Sequence, residues 1–222
     1  MQLPKSGMVL INKPVWPTSH DIVARVRKLT GIKRVGHAGT LDPFASGLLI
    51  ILIGREWTRR QAEFLNLWKT YETTILLGAR STTDDLTGEI TSLSAAAEND
   101  VVSLTDIKKV LTSFTGQYDQ MPPAYSAKKI KGKKAYELAR EGIQPDLKSK
   151  EITIHSLELL SYTWPRLSFR TTVSSGTYIR ALARDIGNRL ACGAYCETLT
   201  RTAIGDYTLA DAYTLETPNP SR

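Results

Sequence analysis

One carboxylate stands out because of its place in the sequence. Asp42 lies within residues 36–43 (GHAGTLDP), just ahead of the most apolar run of the chain, residues 48–53. A carboxylate beside a buried core is costly to keep ionised unless a cation pairs with it. A paired aspartate at the edge of a core is typical of a nucleophile or an acid–base catalyst. A structural role is the alternative, because aspartate before proline is a good helix N-cap and the glycines can simply form turns.

Four further segments carry side chains that could work with such a carboxylate. Residues 12–19 (NKPVWPTS) form a loop before a basic helix, and residues 69–72 (KTYE) place a tyrosine on a strand. Residues 120–128 (QMPPAYSAK) lead into a run of lysines, and residues 174–187 (SSGTYIRALARDIG) place a tyrosine and an arginine near a helix start. Each segment also has a plainer interpretation as a core tyrosine, a surface arginine or a solvated charged loop.

The composition limits the classes of protein and of site. The sequence has 29 Lys and Arg against 22 Asp and Glu, a net charge of +7 that favours a polyanionic partner. Cys192 and Cys196 are too few for a zinc site or a disulfide framework, and the three histidines lack metal-like spacing. The chain has no phosphate-binding glycine loop for a nucleotide cofactor and no nucleophile elbow for a Ser-His-Asp hydrolase. We therefore expect no cofactor, and the histidine spacing gives no reason to expect a metal. With no secretory signal and no long apolar run, we expect a cytoplasmic protein.

The predicted secondary structure shows which elements must hold these residues. Residues 48–53 are consecutive aliphatic residues between two glycines, a pattern typical of a buried central strand. Further strands are predicted at residues 8–11, 68–77, 151–160 and 167–174, and helices at 19–29, 106–114, 134–141 and 179–190. Because strands and helices do not alternate regularly, we predict an α+β fold with a mainly antiparallel mixed sheet. Residues 92–100 are predicted to be a polar connector, and residues 216–222 a frayed tail.

The helix predicted at residues 19–29 is amphipathic. Thr18 or Ser19 can cap its start, and Gly31 can end it. Its apolar positions fall on one face and are Ile22, Val23, Val26 and Leu29. The other face is basic.

Together these segments resemble the TruB family of tRNA pseudouridine synthases, in order, from residue 12 to about residue 207. The pattern Gly-His-x-Gly-x-Leu-Asp-Pro and the pattern Gly-Thr-Tyr-Ile-Arg-x-Leu-Ala-x-Asp-Ile-Gly are both highly specific to that family, and Gln-x-Pro-Pro-x-Tyr-Ser-Ala-x-Lys is nearly as specific. The segment at residues 199–205 is similar to the family's closing pocket segment. The resemblance implies the pseudouridine-synthase fold, with an active-site cleft across the sheet. It also implies one catalytic domain over residues 1–215, with a lysine-rich mobile T-arm-binding segment at about residues 120–150.

The resemblance implies an RNA isomerase that converts uridine 55 in the T loop of tRNA to pseudouridine. The N-glycosidic bond breaks, the uracil turns, and C5 joins the sugar. The reactive uridine must first be flipped out of the T-loop stack. The implied partner is the T stem-loop of tRNA, and we expect a monomer without a cofactor, a membrane or an obligate protein partner.

Three residues match the family's catalytic positions. Asp42 matches the nucleophile, which could attack either C1′ of the ribose or C6 of the base. Arg180 can pair with Asp42 and hold it ionised. Tyr71 matches the tyrosine that stacks on the flipped base, and its phenol is a candidate for removing the C5 proton.

Further residues match the family's substrate pocket and RNA surface. His37 is expected to lie against the flipped-out nucleotides, Tyr178 and Leu199 to form pocket walls, and Lys13 to support the active-site loop. Basic residues are expected to contact phosphates, so that binding weakens with salt. These residues are Arg25, Arg27, Lys28, Lys33, Arg34, Arg59, Arg60, Lys128, Lys129, Lys131, Lys133 and Lys134.

The sequence departs from the family pattern at several points. Trp16 and Pro17 stand where the family usually has a glycine and a variable residue, so we expect a stiffer loop after Lys13. Ser175 stands where many members carry lysine, which removes one phosphate contact. Many members continue into a small C-terminal RNA-binding domain of the PUA type, whereas this chain stops soon after Leu215. We therefore expect no PUA domain and a lower affinity for whole tRNA.

Two other functions are compatible with the same residues. The first is a tRNA-binding folding chaperone in which catalysis is secondary, and an Asp42→Asn variant that rescues a folding phenotype would favour it. The second is a guide-RNA-dependent synthase, which the missing C-terminal domain disfavours. Activity of the isolated protein on a bare T-arm hairpin would exclude the guide-dependent enzyme.

Overall fold

The computed structural model describes residues 3–93, 102–126, 129–130, 132–143 and 145–215. Most of the connector predicted at residues 92–100, the tail at residues 216–222, Lys128 and Lys131 lie outside the described residues. The chain divides into two compact units. The first unit contains Met1–Tyr71 and Thr200–Arg222, and the second unit contains Glu72–Leu199. Whether residues 1–215 act as a single catalytic domain stays a prediction.

Helices and strands alternate irregularly along the chain. The first half contains β1 (Gly7–Lys13), α1 (Ser19–Thr30), β2 (Val35–Ala38), β3 (Ser46–Ile53), α2 (Arg55–Arg59), α3 (Gln61–Leu65), β4 (Lys69–Leu77), β5 (Ala79–Ser81), β6 (Ile90–Ser92) and α4 (Leu104–Ser113). The second half contains β7 (Gly116–Gln120), β8 (Lys129–Ile130), β9 (Lys133–Lys134), α5 (Ala135–Arg140), β10 (Lys150–Thr163), β11 (Arg166–Val173), α6 (Ile179–Arg189), β12 (Ala194–Ile204), β13 (Tyr207–Thr208), a 3₁₀ turn at Leu209–Asp211 and β14 (Tyr213–Thr214).

Strand β3 is the centre of the first unit. It pairs antiparallel with β1 and with β2, and it pairs parallel with β12 at Thr200 and Arg201. Every residue from 48 to 53 is fully buried, and successive side chains enter two different hydrophobic clusters. One cluster includes Ile51 and Ile22, and the other includes Ile50 and Phe64. The prediction of a central strand buried on both faces is therefore confirmed.

Helix α1 begins and ends at the predicted signals. The Thr18 side chain accepts a hydrogen bond from the Asp21 N–H while the Asp21 carboxylate accepts one from the Thr18 N–H, which is a capping box. Gly31 ends the helix in the left-handed conformation at φ 73°. The buried part of the apolar face ends before Leu29: its side chain is 57% exposed, and the last α1 residue in the core cluster is Val26.

The second unit is built mainly from antiparallel strands. Its strand order is β12-β4-β11-β10-β7, and two-stranded pairs are formed by β5 with β6 and by β8 with β9. Strand β11 confirms the strand predicted at residues 167–174, and its pattern alternates, with Leu167, Phe169 and Val173 buried. Strand β10 is longer than the predicted 151–160, and its burial does not alternate regularly, because its pairing with β11 shifts register twice. Together with the predicted helices, the mixed sheet confirms an α+β fold.

Helices α1 to α6 are all short, and α1 has 12 residues. Within the described part of the chain, none is long and apolar enough to cross a membrane.

Candidate active site

Asp42 lies on a loop between two strands of the first unit. Strand β2 ends at Ala38 and β3 begins at Ser46, so residues 39–45 form what we call the Asp42 loop. The Asp42 carbonyl accepts a hydrogen bond from the Ala45 N–H at 3.1 Å, which closes a turn. The turn leads directly into β3, so the interpretation of Asp42 as a helix N-cap is wrong.

The backbone on either side of Asp42 is held by residues between the end of β1 and the start of α1. Ser19, which is 1% exposed, donates from Oγ to the Leu41 carbonyl at 3.1 Å and accepts from the Leu41 N–H at 2.9 Å. The Pro43 carbonyl accepts from Lys13 Nζ at 3.3 Å and from the Trp16 N–H at 2.6 Å. Because both neighbours of Asp42 are fixed, the backbone that carries its carboxylate is in place before any substrate binds.

Arg201 on strand β12 forms hydrogen bonds with the start of the Asp42 loop and with the strand that follows the loop. Its side chain is fully buried, and it donates from Nε to the Leu48 carbonyl and from Nη2 to the Gly39 carbonyl, each at 2.8 Å. Strand β12 can approach this closely because Gly47 has no side chain; a Cβ there would collide with the Arg201 backbone. Arg201 was not among the site residues predicted from the sequence.

Three buried cations surround this part of the first unit: Lys13, Lys69 and Arg201. Burial lowers the pKa of Lys13 to about 8; the charge of Arg201 adds to this effect, whereas the charge of Asp42 opposes it. Burial, with a contribution from Arg201, also lowers the pKa of Lys69 to about 8. Lys69 Nζ donates to the carbonyls of Leu65 and Leu67 at 2.6 and 2.7 Å. These cations create a positive environment that suits an anionic nucleophile and an anionic substrate.

His37 lies on β2, just before the Asp42 loop. Burial, followed by the nearby charges of His20 and Arg201, lowers the pKa of His37 to about 4, so the imidazole is neutral at pH 7. Its Nδ1 is buried without a hydrogen-bond partner among the described residues, and its ring meets the His20 ring edge-on at 5.4 Å between centroids. A neutral ring suits the predicted positioning role better than acid–base catalysis.

The other predicted pocket residues are mostly buried. Tyr71 on β4 is 8% exposed and Leu199 on β12 is 7% exposed, whereas Tyr178 is half-buried at the N-cap position of α6. Both strands alternate, so Tyr71 shares its buried face with Lys69, and Leu199 shares its buried face with Arg201. The roles of Tyr71, Tyr178 and Leu199 stay predictions.

Arg180 is held in the second unit by a buried ion pair. Its Nη1 lies 3.2 Å from Asp85 Oδ2, and both side chains are 5% exposed. It also donates from Nη1 to the Thr83 carbonyl at 2.8 Å and from Nη2 to the Tyr125 carbonyl at 3.3 Å. Asp85 in turn accepts from the Thr87 N–H at 2.9 Å. The guanidinium is therefore fixed in direction, and its predicted pairing with Asp42 stays a prediction.

The start of α6 is fixed by a glutamine that was not among the site residues predicted from the sequence. Gln120, which is 1% exposed, donates from Nε2 to the Tyr178 carbonyl at 3.0 Å and accepts from the Tyr178 N–H at 2.8 Å. Gln120 opens the segment QMPPAYSAK, so this segment and the segment around Arg180 form one local structure.

The basic residues expected to contact RNA differ in their exposure and in the partners that their side chains bind. Lys28, Lys33, Arg34 and Arg59 are exposed in the first unit. Arg27 donates to the Val35 carbonyl at 2.8 Å. Arg60 pairs with Glu63 at 2.9 Å, and Lys133 pairs with Glu141 at 3.3 Å. Arg25 is half-buried, and its Nε is buried without a hydrogen-bond partner among the described residues. Lys129 and Lys134 pair through their backbones in the β8–β9 hairpin.

The chain is similar in sequence to known pseudouridine synthases. The family model described as TruB family pseudouridylate synthase (N terminal domain) matches residues 27–179. tRNA pseudouridine synthase B of Protochlamydia amoebophila (strain UWE25) is 46% identical over 203 residues, which cover 91% of this chain and 76% of that protein. The protein of the same name from Geobacillus thermodenitrificans (strain NG80-2) is 46% identical over 217 residues, 95% of this chain and 70% of that protein.

The fold is also similar to that of solved structures. A chain in the crystal structure of a Cbf5-Nop10-Gar1 complex matches 95% of this chain with a TM-score of 0.71 and 27% identity. A chain in the structure of an H/ACA RNP bound to a substrate RNA containing 2′-deoxyuridine matches with a TM-score of 0.69 and 25% identity. This chain spans about half the length of those two chains, 53% and 51%. The predicted pseudouridine-synthase fold is confirmed, and the chain belongs to the TruB family of pseudouridylate synthases.

Proposed function

We propose that this chain isomerises uridine 55 in the T loop of tRNA to pseudouridine, with Asp42 as the nucleophile. The observation that carries the proposal is the construction of the Asp42 loop. Ser19 binds the residue before Asp42, Lys13 and the Trp16 N–H bind the residue after it, and Arg201 binds the start of the loop. A carboxylate on a loop whose backbone is held by so many neighbours, in a positive environment, suits attack on a substrate better than a role in solubility.

The proposed reaction needs only groups that this chain carries. The Asp42 carboxylate attacks C1′ or C6, the N1–C1′ bond breaks, and the uracil turns within the pocket. C5 then bonds to C1′, Asp42 is released, C5 loses its proton, and N1, which is no longer bonded to C1′, gains a proton. Tyr71 is the proposed stacking partner of the base and a candidate acceptor of that proton. Atoms are conserved, because pseudouridine is an isomer of uridine.

The names of the curated relatives support tRNA as the substrate. A net charge of +7 suits a polyanion, and the exposed basic residues of the first unit are the proposed phosphate contacts. Phosphate contacts would offset the few kcal/mol that flipping a stacked base costs. We propose further that the protein acts on the T stem-loop as a monomer in the cytoplasm, without an obligate protein partner.

The test compares the wild type with Asp42→Asn on an unmodified tRNA transcript and on a T-arm hairpin, without added cofactor. Pseudouridine is mapped at single-nucleotide resolution, and tRNA affinity is measured in parallel. The matched control is Asp206→Asn, the same change at an exposed aspartate of the first unit. We expect pseudouridine at position 55 with the wild type and with Asp206→Asn.

Asp42→Asn is expected to bind tRNA with nearly unchanged affinity and to form no product. Turnover by Asp42→Asn at the wild-type rate would refute the nucleophile assignment. Binding without product by the wild type would refute the proposed reaction and favour the tRNA-folding chaperone. Product on whole tRNA at a position other than 55 would refute the T-loop assignment.

A further inference from the structure

Trp16 is an exposed aromatic residue beside the Asp42 loop. Its side chain is 61% exposed, and its neighbour Val15 is 44% exposed. Tryptophan has the largest aromatic surface of any side chain and gains stability when that surface is covered. The core of the first unit does not cover it. The fold of the first unit therefore gives no packing reason for a tryptophan at this position.

The backbone of Trp16 is held in a conformation that tryptophan disfavours. Its φ is 85°, in the left-handed region that bulky side chains rarely adopt. The following residue is Pro17, which restricts a preceding residue to extended conformations and so adds to the strain. Strained residues persist when the surrounding structure over-determines them, and such residues cluster at functional sites.

Several hydrogen bonds hold the backbone around Trp16 in this strained conformation. Lys13 Nζ donates to the Pro14 carbonyl and to the Pro17 carbonyl, each at 2.8 Å, and these two residues lie on either side of Trp16. The Trp16 N–H itself donates to the Pro43 carbonyl at 2.6 Å. One buried lysine and one backbone bond thus fix Trp16 against the residue that directly follows Asp42.

Trp16 lies near the place where a substrate uridine would meet Asp42. Pro43 follows Asp42 in the chain, so the backbone of Trp16 is within a hydrogen bond of the nucleophile's neighbour. The nucleotides next to the target are unstacked when it is flipped out, and they gain from a new aromatic surface. Stacking of a base on an aromatic side chain is a general mode of single-strand recognition.

We propose that Trp16 stacks on a nucleobase of the substrate RNA adjacent to the target uridine. This inference rests on the proposed function, because it takes RNA at Asp42 as given. The part of the RNA that Trp16 contacts is a base and not a phosphate, since an indole offers a π-face and no positive charge. Trp16 is therefore a substrate-binding residue, whereas Ser19 and Arg201 are positioning residues.

The test uses glycine, which removes the indole and also relieves the strained backbone. Trp16→Gly and Trp16→Phe are made in the Asp42→Asn background, and the Kd for a T-arm hairpin is measured at several salt concentrations. The matched control is Tyr213→Ala, at a 52% exposed aromatic residue elsewhere in the first unit. Urea unfolding of each variant gives its stability.

We expect Trp16→Gly to raise Kd about tenfold, which corresponds to about 1.4 kcal/mol. The slope of log Kd against log salt should stay the same, because no phosphate contact is lost. The urea midpoint should be unchanged or higher, and Trp16→Phe should keep most of the affinity. Trp16→Gly would then lose affinity without losing stability. If Trp16 had only a structural role, its loss of affinity would come with a loss of stability.

Three results would overturn the inference. They are an unchanged Kd for Trp16→Gly, a reduced salt slope, or a Kd increase in Trp16→Gly that follows a lower urea midpoint. The proposed function is tested separately by the protein with Asp42 intact. If that protein forms no pseudouridine in the hairpin, the proposed function fails; if it does and Trp16→Gly binds as well as its parent, only the inference about Trp16 fails.

Discussion

Replacing Arg201 with lysine tests whether the Asp42 loop depends on a planar cation for its geometry. The guanidinium uses two nitrogens to bind the carbonyls of Leu48 and Gly39, both at 2.8 Å. Lysine keeps the positive charge, but one ammonium group cannot reproduce two bonds made by a rigid planar group. We therefore expect Arg201→Lys to lose one of the two carbonyl bonds.

The size of the effect follows from the burial of Arg201. A hydrogen bond to a charged group contributes about 1.5–3 kcal/mol, and a buried carbonyl left without a partner costs roughly 1–3 kcal/mol. The side chain is 1% exposed, so water cannot replace the lost bond. We expect the free energy of unfolding to fall by about 2–5 kcal/mol. If the released carbonyl is that of Gly39, Asp42 shifts, and a displacement of about 1 Å can lower the rate roughly 100-fold.

The assay separates stability from catalysis. Urea unfolding gives the loss of stability, and single-turnover formation of pseudouridine with excess protein gives the rate without a contribution from binding. Arg55→Lys, the same change at an exposed arginine of the first unit, is the control and should alter neither quantity. If Arg201→Lys loses stability but keeps the wild-type rate, Arg201 does not position Asp42. If it loses less than about 0.5 kcal/mol, lysine restores both bonds and the reasoning about the planar group is wrong.

Two further predictions concern buried charges elsewhere. Asp85→Asn leaves the Arg180 cation buried opposite a neutral amide, and we expect a loss of about 3–5 kcal/mol in urea unfolding together with a loss of activity; a loss no larger than that of Asp206→Asn would contradict this. Lys69 has its pKa lowered from 10.5 to about 8, so the unfolded chain binds this proton more tightly than the folded one. The contribution of Lys69 to stability should therefore rise between about pH 8 and 10.5. Over that range, the free energy of unfolding of the wild type should increase by up to about 3 kcal/mol relative to that of Lys69→Met. A difference that does not change with pH would show that Lys69 is not desolvated.

Elements with strong local signals were predictable from the sequence. The aliphatic run at residues 48–53 is buried on both faces, and helix α1 uses Thr18 and Gly31 as its ends. In both cases the information lies within a few neighbouring residues, which determine hydrophobic periodicity and capping. The exposure of Leu29 could not be predicted, because a helical pattern does not show where the opposing surface stops.

The polar residues that fix the site were harder to predict because their partners are remote in sequence. Asp85 binds Arg180, Gln120 binds Tyr178, and Arg201 binds Gly39. A single sequence gives the identities of such residues but not which of them meet. One local signal was available: strand alternation places Arg201 on the same buried face as Leu199, and a buried arginine needs partners.

The bond between Arg201 and Gly39 also has a consequence for how the enzyme is made. It joins residues 162 positions apart, whereas the bonds from Ser19 to Leu41 span only 22. At a ribosomal rate of about 5–20 residues per second, roughly 8–30 s separate the synthesis of Asp42 from that of Arg201. During that interval the nascent chain holds the proposed nucleophile, β1, α1 and β3, but lacks the arginine that binds the Asp42 loop. We therefore expect catalytic competence only after β12 has been synthesised, and we expect a chain that stops before β12 to be inactive.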